Sequence, residues 1–269
     1  MARRDSSPNF IEAIARGLDV LRAFQPRQPV MTLAAVAAAA GLPRPTARRV
    51  LLTLETLGYV RVAGRGGYEL TPRVLELGTS YVLSRSRWDL ARPHMERLVA
   101  LTSESVSIAQ LDGSDIVYVA RVAVPKIVGL AVTIGTRFPA MQTSLGKVLL
   151  AALPPAEVEQ VLAQPSRSGI TPPWQPGPAE RERELREVRA RGWALTDQQL
   201  AVGIRSVAAP LRGGDGTVIA SLNVNTHAAE TPVDVLTGHH LPLLLQAAGA
   251  ISADWAAWQA VPQVTVSRS

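Results

Sequence analysis

The stretch GLPRPTARRVLLTLETLGYV, residues 41–60, carries Arg44, Arg48 and Arg49 within six positions and no acid among them. A guanidinium is always charged, and its planar fork of donors matches phosphate oxygens and the O6/N7 edge of guanine. Thr46 adds a hydroxyl donor, and Pro45 presets the backbone at the start of the segment. Residues of these types, at the leading end of a helix, are suited to contact double-stranded DNA.

The surrounding elements must present that end outward. TLAAVAAAAG (32–41) predicts a helix with Thr32 as N-cap and Gly41 at the left-handed position that closes it. Pro43 and Pro45 fall in the first turn of the next helix, where no intrahelical N–H is needed. Two short helices joined by a Gly-containing turn form a helix-turn-helix pattern, whose second helix enters the major groove N-terminus first. At 100° per residue, Ala47, Val50, Leu51, Leu54 and Leu57 make one apolar face, and Arg48 and Arg49 lie on the opposite arc. Upstream, Ile11, Ile14, Leu18, Val20 and Leu21 have helical spacing. Downstream, Tyr59, Val60 and Val62 read as a strand, Gly66 and Gly67 as a turn free to take positive φ, and YELT (68–71) as the returning strand. Such a hairpin is a wing, with Arg65 at its tip in reach of phosphates or the minor groove. The alternative for the helix pair alone is a packing unit with solvated arginines.

Charge placement favours the DNA reading. Residues 1–80 hold 11 arginines and 6 acids, a net of +5 out of +6 for the 269-residue chain. A basic segment on a nearly neutral body points to a polyanionic partner. Apolar residues make up 47%, enough for a substantial core. Cysteine is absent, which removes disulfides, thiolate metal sites and Cys nucleophiles together and fits a reducing compartment. No apolar run approaches the ~20 residues of a membrane span. MARRDSSPNF has no apolar stretch after its arginines, so the expected location is the cytoplasm, with no secretory signal and no membrane partner.

Residues 72–105 read as two helices, the first a linker that also pairs with a second subunit. Beyond Ser105 the period becomes two. SVSIAQLDGSDIVYVARV is a hairpin turning at DGSD, IVGLAVTIGTRFPA a strand and loop, and RSVAAPLRGGDGTVIASLNVNT a second hairpin. TSLGKVLLAAL, PAEVEQVLA, PAERERELREVRARG and a Leu/Ala-rich segment near 232–258 read as helices. The third of these carries Glu182/Arg186 and Glu187/Arg191 pairs, the mark of a solvated face. The expected body is a mixed α/β domain with a mainly antiparallel sheet.

Enzyme signatures are missing. His94, His227, His239 and His240 lack metal-ligand spacing, and no nucleophile elbow, phosphate loop or dinucleotide fingerprint occurs. No catalytic residue, metal or cofactor is expected.

ARGLDVLRAF, the 32–60 stretch, YELTPRVLELG, TSLGKVLLA, GIRSVAAPLRGGDGTVIASLNV and LPLLLQAAGAI together resemble, in order, the landmarks of the IclR family of bacterial transcription regulators. RPTARRVLLTLETLGYV, DIVYVARV and ASLNVN are similar to its branch controlling protocatechuate, 4-hydroxybenzoate and β-ketoadipate catabolism. The resemblance implies an α+β chain: a winged helix-turn-helix (1–71), a linker helix (72–86) and a GAF-like effector domain (87–269). It implies homodimers, often paired into tetramers, bound to operator DNA and answering to a small carboxylic acid. By motif position, Ser144, Leu145 and Gly146 would supply backbone N–H groups to the effector's carboxylate. Asp197, in TDQQLAVGI where the family usually carries acids, would stand at the pocket's edge, and Ser206, Asn223 and Asn225 would face the effector from strands, the two asparagines on one side because they are two apart. Arg44, Pro45, Thr46, Arg48, Arg49 and Arg65 would face the operator. Two other readings remain at this point: an enzyme with an attached DNA-binding segment, and a sequence-independent architectural DNA binder.

Overall fold

The computed structural model describes residues 9–25, 28–78, 87–125 and 132–260. The chain divides into two compact units, Met1–Arg85 and Ser86–Ser269.

The first unit is a winged helix-turn-helix. Helix α1 (Glu12–Ala23) is followed by a two-residue strand β1 (Val30–Met31), α2 (Leu33–Ala39) and α3 (Arg44–Thr56). Thr32 caps α2 through its side chain, which accepts from the Ala35 N–H at 3.2 Å. Gly41 follows at φ +64°, the left-handed conformation that lets α3 leave in a new direction. Pro43 is the N-cap of α3 and Pro45 lies in its first turn, so only the second of the two prolines is inside the helix. The wing is β2 (Val60–Ala63) and β3 (Gly67–Leu70), antiparallel, with β1 on the far side of β3.

Two sequence expectations change here, and the helix expected upstream is present as α1. Gly66 has φ +76°, but Gly67 is extended at φ −81°; what Gly67 needs is space, since a Cβ there would lie 2.6 Å from Val30 Cγ1. Leu57 is exposed, because α3 ends at Thr56 and the helical wheel no longer governs it. Ile11, Ile14 and Leu18 are also exposed; the core of this unit takes Val20, Ala23, Met31, Val36, Leu51, Leu54 and Val60. Of the expected linker helix over 72–86, Pro72–Val74 form a 3-10 turn and 75–78 are helical; 79–86 lie outside the described residues.

The second unit starts with α4 (Arg87–Thr102) and carries a six-stranded antiparallel sheet. Its strands are β4 (Ser105–Asp112), β5 (Asp115–Val122), β6 (Arg137–Pro139), β7 (Ala194–Asp197), β8 (Ile204–Arg212) and β9 (Val218–His227), in the order β6-β5-β4-β9-β8-β7. The short edge strands β6 and β7 are not separable in the sequence, and residues 127–131 of the expected strand and loop lie outside the described residues. Helices α5 (Ser144–Ala151), α6 (Pro155–Leu162) and α7 (Pro178–Arg191) follow in the chain before β7. The C-terminal helix enters through a π-helical turn (Leu236–His240) and runs as α8 (Leu241–Ala260).

Strand alternation builds a core on each face of this sheet. Val106, Ile108, Val207, Leu222 and Val224 pack with Met95 and Leu98 of α4 and with Leu244, Ile251 and Trp255 of α8. Ala109, Ile116, Tyr118 and Ala208 pack with Leu145, Val148 and Leu149 of α5 and with Leu185 and Val188 of α7. Trp88 meets Trp255 edge to face at 5.3 Å, closing the first core.

Candidate functional site

On α3 the buried positions are Ala47, Leu51 and Leu54, which leave the other arc free. Arg44, Pro45, Arg48 and Arg49 are exposed and Thr46 is half-buried. None of the three arginines has a side-chain hydrogen bond or ion pair among the described residues. Thr53 and Thr56 donate their hydroxyls back to the carbonyls of Arg49 and Leu52, each at 2.9 Å. Glu55, the only acid of α3, lies in its last turn. On the wing, Arg61 pairs with Glu69 at 2.5 Å, and Arg65 sits in the turn Gly64–Gly66. The leading end of α3 is therefore a cationic surface already free of internal partners.

In the second unit all the predicted residues but Asp197 lie together at the sheet face under α5. Thr143 caps that helix, its Oγ1 accepting from the Gly146 N–H at 3.0 Å. A Cβ on Gly146 would fall 2.0 Å from the Ala140 carbonyl, so the residue's role is to let α5 close onto the preceding turn. Ser144 Oγ lies 2.7 Å from Ser206 Oγ, and Ser206 Oγ lies 2.9 Å from Thr196 Oγ1. Ser221 Oγ donates to the Leu145 carbonyl at 3.0 Å. These bonds fix the first turn of α5 over strands β7, β8 and β9.

Sheet register gives the floor of this site. Thr196, Ser206, Asn225 and Ser105 face one another across β7, β8, β9 and β4. One row on, Ala194, Ala208, Asn223, Ser107 and Arg121 do the same across β7, β8, β9, β4 and β5. Asn223 is buried, and its Oδ1 has no hydrogen-bond partner among the described residues. Asn225 is half-buried. Sequence reasoning missed Arg121, Ser107 and Thr196. Arg121 Nη1 donates to Ser107 Oγ at 2.9 Å, while its Nε is buried without an acceptor. Burial pushes the Arg121 guanidinium below the usual arginine range, with the Tyr118 phenol acting weakly the other way.

A β-bulge aims Arg121. Ile108 pairs with Ala120 and Ala109 with Tyr118, so Val119 is the extra residue on β5. Strict alternation would put Tyr118 and Arg121, three apart, on opposite faces. The bulge returns Arg121 to the α5 side, where Tyr118 packs edge to face on Phe138 at 5.7 Å.

Asp197 is not brought to this group. It points to the other face from Thr196 and forms a two-pronged ion pair with Arg205, both contacts at 2.9 Å. Arg205 also donates to the Thr231 carbonyl at 2.7 Å, so the pair fastens the loop after β9. Lys147, fully buried, pins α5 from its far side: Nζ reaches Glu184 Oε2 at 2.7 Å and Gln199 Oε1 at 2.6 Å and lies 4.7 Å from the Trp174 ring centre. Burial lowers the Lys147 pKa, and the Glu184 carboxylate opposes that shift.

A winged helix-turn-helix with an unencumbered basic helix, followed by an α/β unit with a polar floor beneath a helix start, defines a DNA-binding regulator with its own sensor domain. The chain belongs to the IclR family of bacterial transcriptional regulators: the IclR helix-turn-helix domain matches residues 13–64, and the bacterial transcriptional regulator IclR C-terminal domain matches residues 80–253. It is 37% identical over 241 residues to the Pca regulon regulatory protein of Pseudomonas putida, covering 89% of this chain and 82% of that one. A solved chain from Rhodococcus sp. RHA1 superposes with a TM-score of 0.78 at 44% identity, over 93% of this chain and 100% of that one. An IclR homologue from Microbacterium hydrocarbonoxydans, solved in complex with 4-hydroxybenzoate, superposes with a TM-score of 0.76 at 26% identity, over 91% of this chain and 100% of that one. Among the described residues, no helix is long and apolar enough to cross a membrane.

Proposed function

We propose that this regulator controls genes of aromatic catabolism and that its second unit receives a small aromatic carboxylic acid. The observation that carries the reading is the floor under α5. Beside the apolar core under α5, hydroxyls, amides and a guanidinium gather on one face of the sheet, and a buried Asn223 oxygen has no partner among the described residues. A buried polar atom without a partner costs free energy until something bonds it. The similarity to a Pca regulon regulator and to a homologue holding 4-hydroxybenzoate supports an aromatic acid as that partner.

In this reading residues 1–71 bind DNA, 72–86 connect, and 87–269 receive the effector. Arg44, Pro45, Thr46, Arg48 and Arg49 meet the operator, and Arg65 meets the flanking backbone from the wing. Ser144, Leu145, Gly146, Ser206, Asn223 and Asn225 surround the effector, and Asp197 braces the sheet edge instead. The protein works by binding, not turnover, in the cytoplasm as a homodimer or tetramer. An effector changes operator occupancy only if it binds the DNA-competent arrangement and its alternative unequally.

A thermal-shift screen of aromatic and dicarboxylic acids tests the receptor assignment. A ligand that binds only the native state raises the melting temperature by mass action. A rise with 4-hydroxybenzoate or protocatechuate is expected. A flat response to every acid, up to millimolar concentration, counts against it.

A further inference from the structure

We infer that Arg121 is the anchor for the effector's carboxylate, and that the ligand lies across the sheet with its hydroxyl end at the Ser144–Ser206–Thr196 cluster. The inference rests on reading the second unit as a receptor for carboxylic acids and adds to it the orientation and the charge that selects them.

Five observations support it. Arg121 has no acidic partner among the described residues, whereas Arg205, Arg181 and Arg189 each have one. Its fork is half spent: Nη1 is held by Ser107, and Nε is buried with no acceptor. A guanidinium held this way is oriented for a bidentate carboxylate. Across the sheet, Ser144, Ser206 and Thr196 form a neutral chain of hydroxyls, which can both donate to and accept from a phenol. Between the two ends lies Asn223, whose free oxygen can accept from a second ring hydroxyl. Arg121 stands on β5 and Ser206 on β8, three strands away, or about 14 Å between backbones at the usual strand spacing. The Arg121 head leans one strand inward, to Ser107, which shortens that span toward the length of a hydroxybenzoate.

The rival orientation puts the carboxylate on the first turn of α5. A helix end supplies roughly half a unit of positive charge, and the Gly146 N–H is already taken by Thr143. Arg121 offers a full charge and two parallel donors. Charge and geometry both assign the acid end to β5.

Calorimetric titration of the full chain with 4-hydroxybenzoate and its neutral analogue 4-hydroxybenzamide tests this. The wild type should prefer the acid by roughly ten- to a hundredfold, the range for hydrogen bonds to a charged group. Arg121→Met should lose that preference through weaker acid binding, with amide affinity within about threefold. Arg121→Lys keeps the charge but loses the fork, and should fall between the two; it also covers the case in which the Met variant does not fold. Wild-type affinity for the acid in either folded variant overturns the anchor and leaves the receptor reading standing. A wild type that binds neither 4-hydroxybenzoate nor any other aromatic or aliphatic carboxylate overturns both.

Discussion

Ser144 and Ser206, 62 positions apart, share a hydroxyl–hydroxyl hydrogen bond of 2.7 Å that ties the first turn of α5 to the middle of the sheet. The contact is buried, and Ser206 passes it on to Thr196. In the proposed reading, this chain is the route by which an effector on the floor would reach α5.

Ser206→Ala removes the centre of that chain and leaves two buried hydroxyls short of a partner. A loss of about 1–2 kcal/mol in unfolding free energy is expected, together with weaker effector binding. Urea titration with an unchanged m-value checks the first and calorimetry the second. A variant equal to wild type in both would remove the cluster from the site.

Gly146→Ala and Gly17→Ala should move stability in opposite directions. The first drives a methyl into the Ala140 carbonyl at 2.0 Å and should cost about 2 kcal/mol or more, because backbone cannot yield cheaply. The second meets nothing within 4 Å on helix α1 and should gain about 0.5–1 kcal/mol. Paired melting curves decide the matter, and a harmless Gly146→Ala would contradict the close approach.

Lys147→Ala should destabilise by about 3 kcal/mol, since it leaves Glu184 without its buried cation and Trp174 without its stacking partner. Lys147→Met keeps the stem volume but not the charge and should recover part of that loss. Equal stability of the Ala variant and wild type would show that the ion pair merely offsets its own desolvation.

Arg48→Ala should weaken operator binding and lower the slope of log affinity against log salt by about one if the side chain contacts a phosphate. If it reads a guanine edge instead, specificity relaxes at one base pair, at a cost of about 1–3 kcal/mol. Effector affinity of the same variant should match wild type. Unchanged operator affinity at matched salt would exclude Arg48 from the interface.

The DNA-binding unit was legible because its signals are local. A Thr cap, a Gly at positive φ and a Pro in the first turn each act within four residues, and together they fix where α3 begins and which arc is free. Leu57 escaped because a helical wheel does not know where the helix stops. In the sensor unit, Asn223 and Asn225 share a face simply by being two apart, and the structure places Ser206 and Ser144 with them. Asp197 joins them only by motif position, and β7, four residues at an edge, is too short for a period that would show it facing away toward Arg205. Arg121 was invisible for a related reason. Its side depends on one extra residue at Val119, and only the pairing of β5 with β4 reveals a bulge. The Arg205–Asp197 pair likewise joins two strands through a register that no local pattern encodes.

The most direct measurement is fluorescence anisotropy of the full chain on a promoter duplex from its own locus and on a scrambled duplex, at one fixed salt concentration, with and without saturating 4-hydroxybenzoate or protocatechuate. The expected result is preferential binding to the promoter duplex, with a midpoint that moves when one of the acids is added. Equal affinity for both duplexes, or a promoter midpoint that no acid shifts although the acid binds, would contradict a DNA-reading helix governed by a carboxylate receptor.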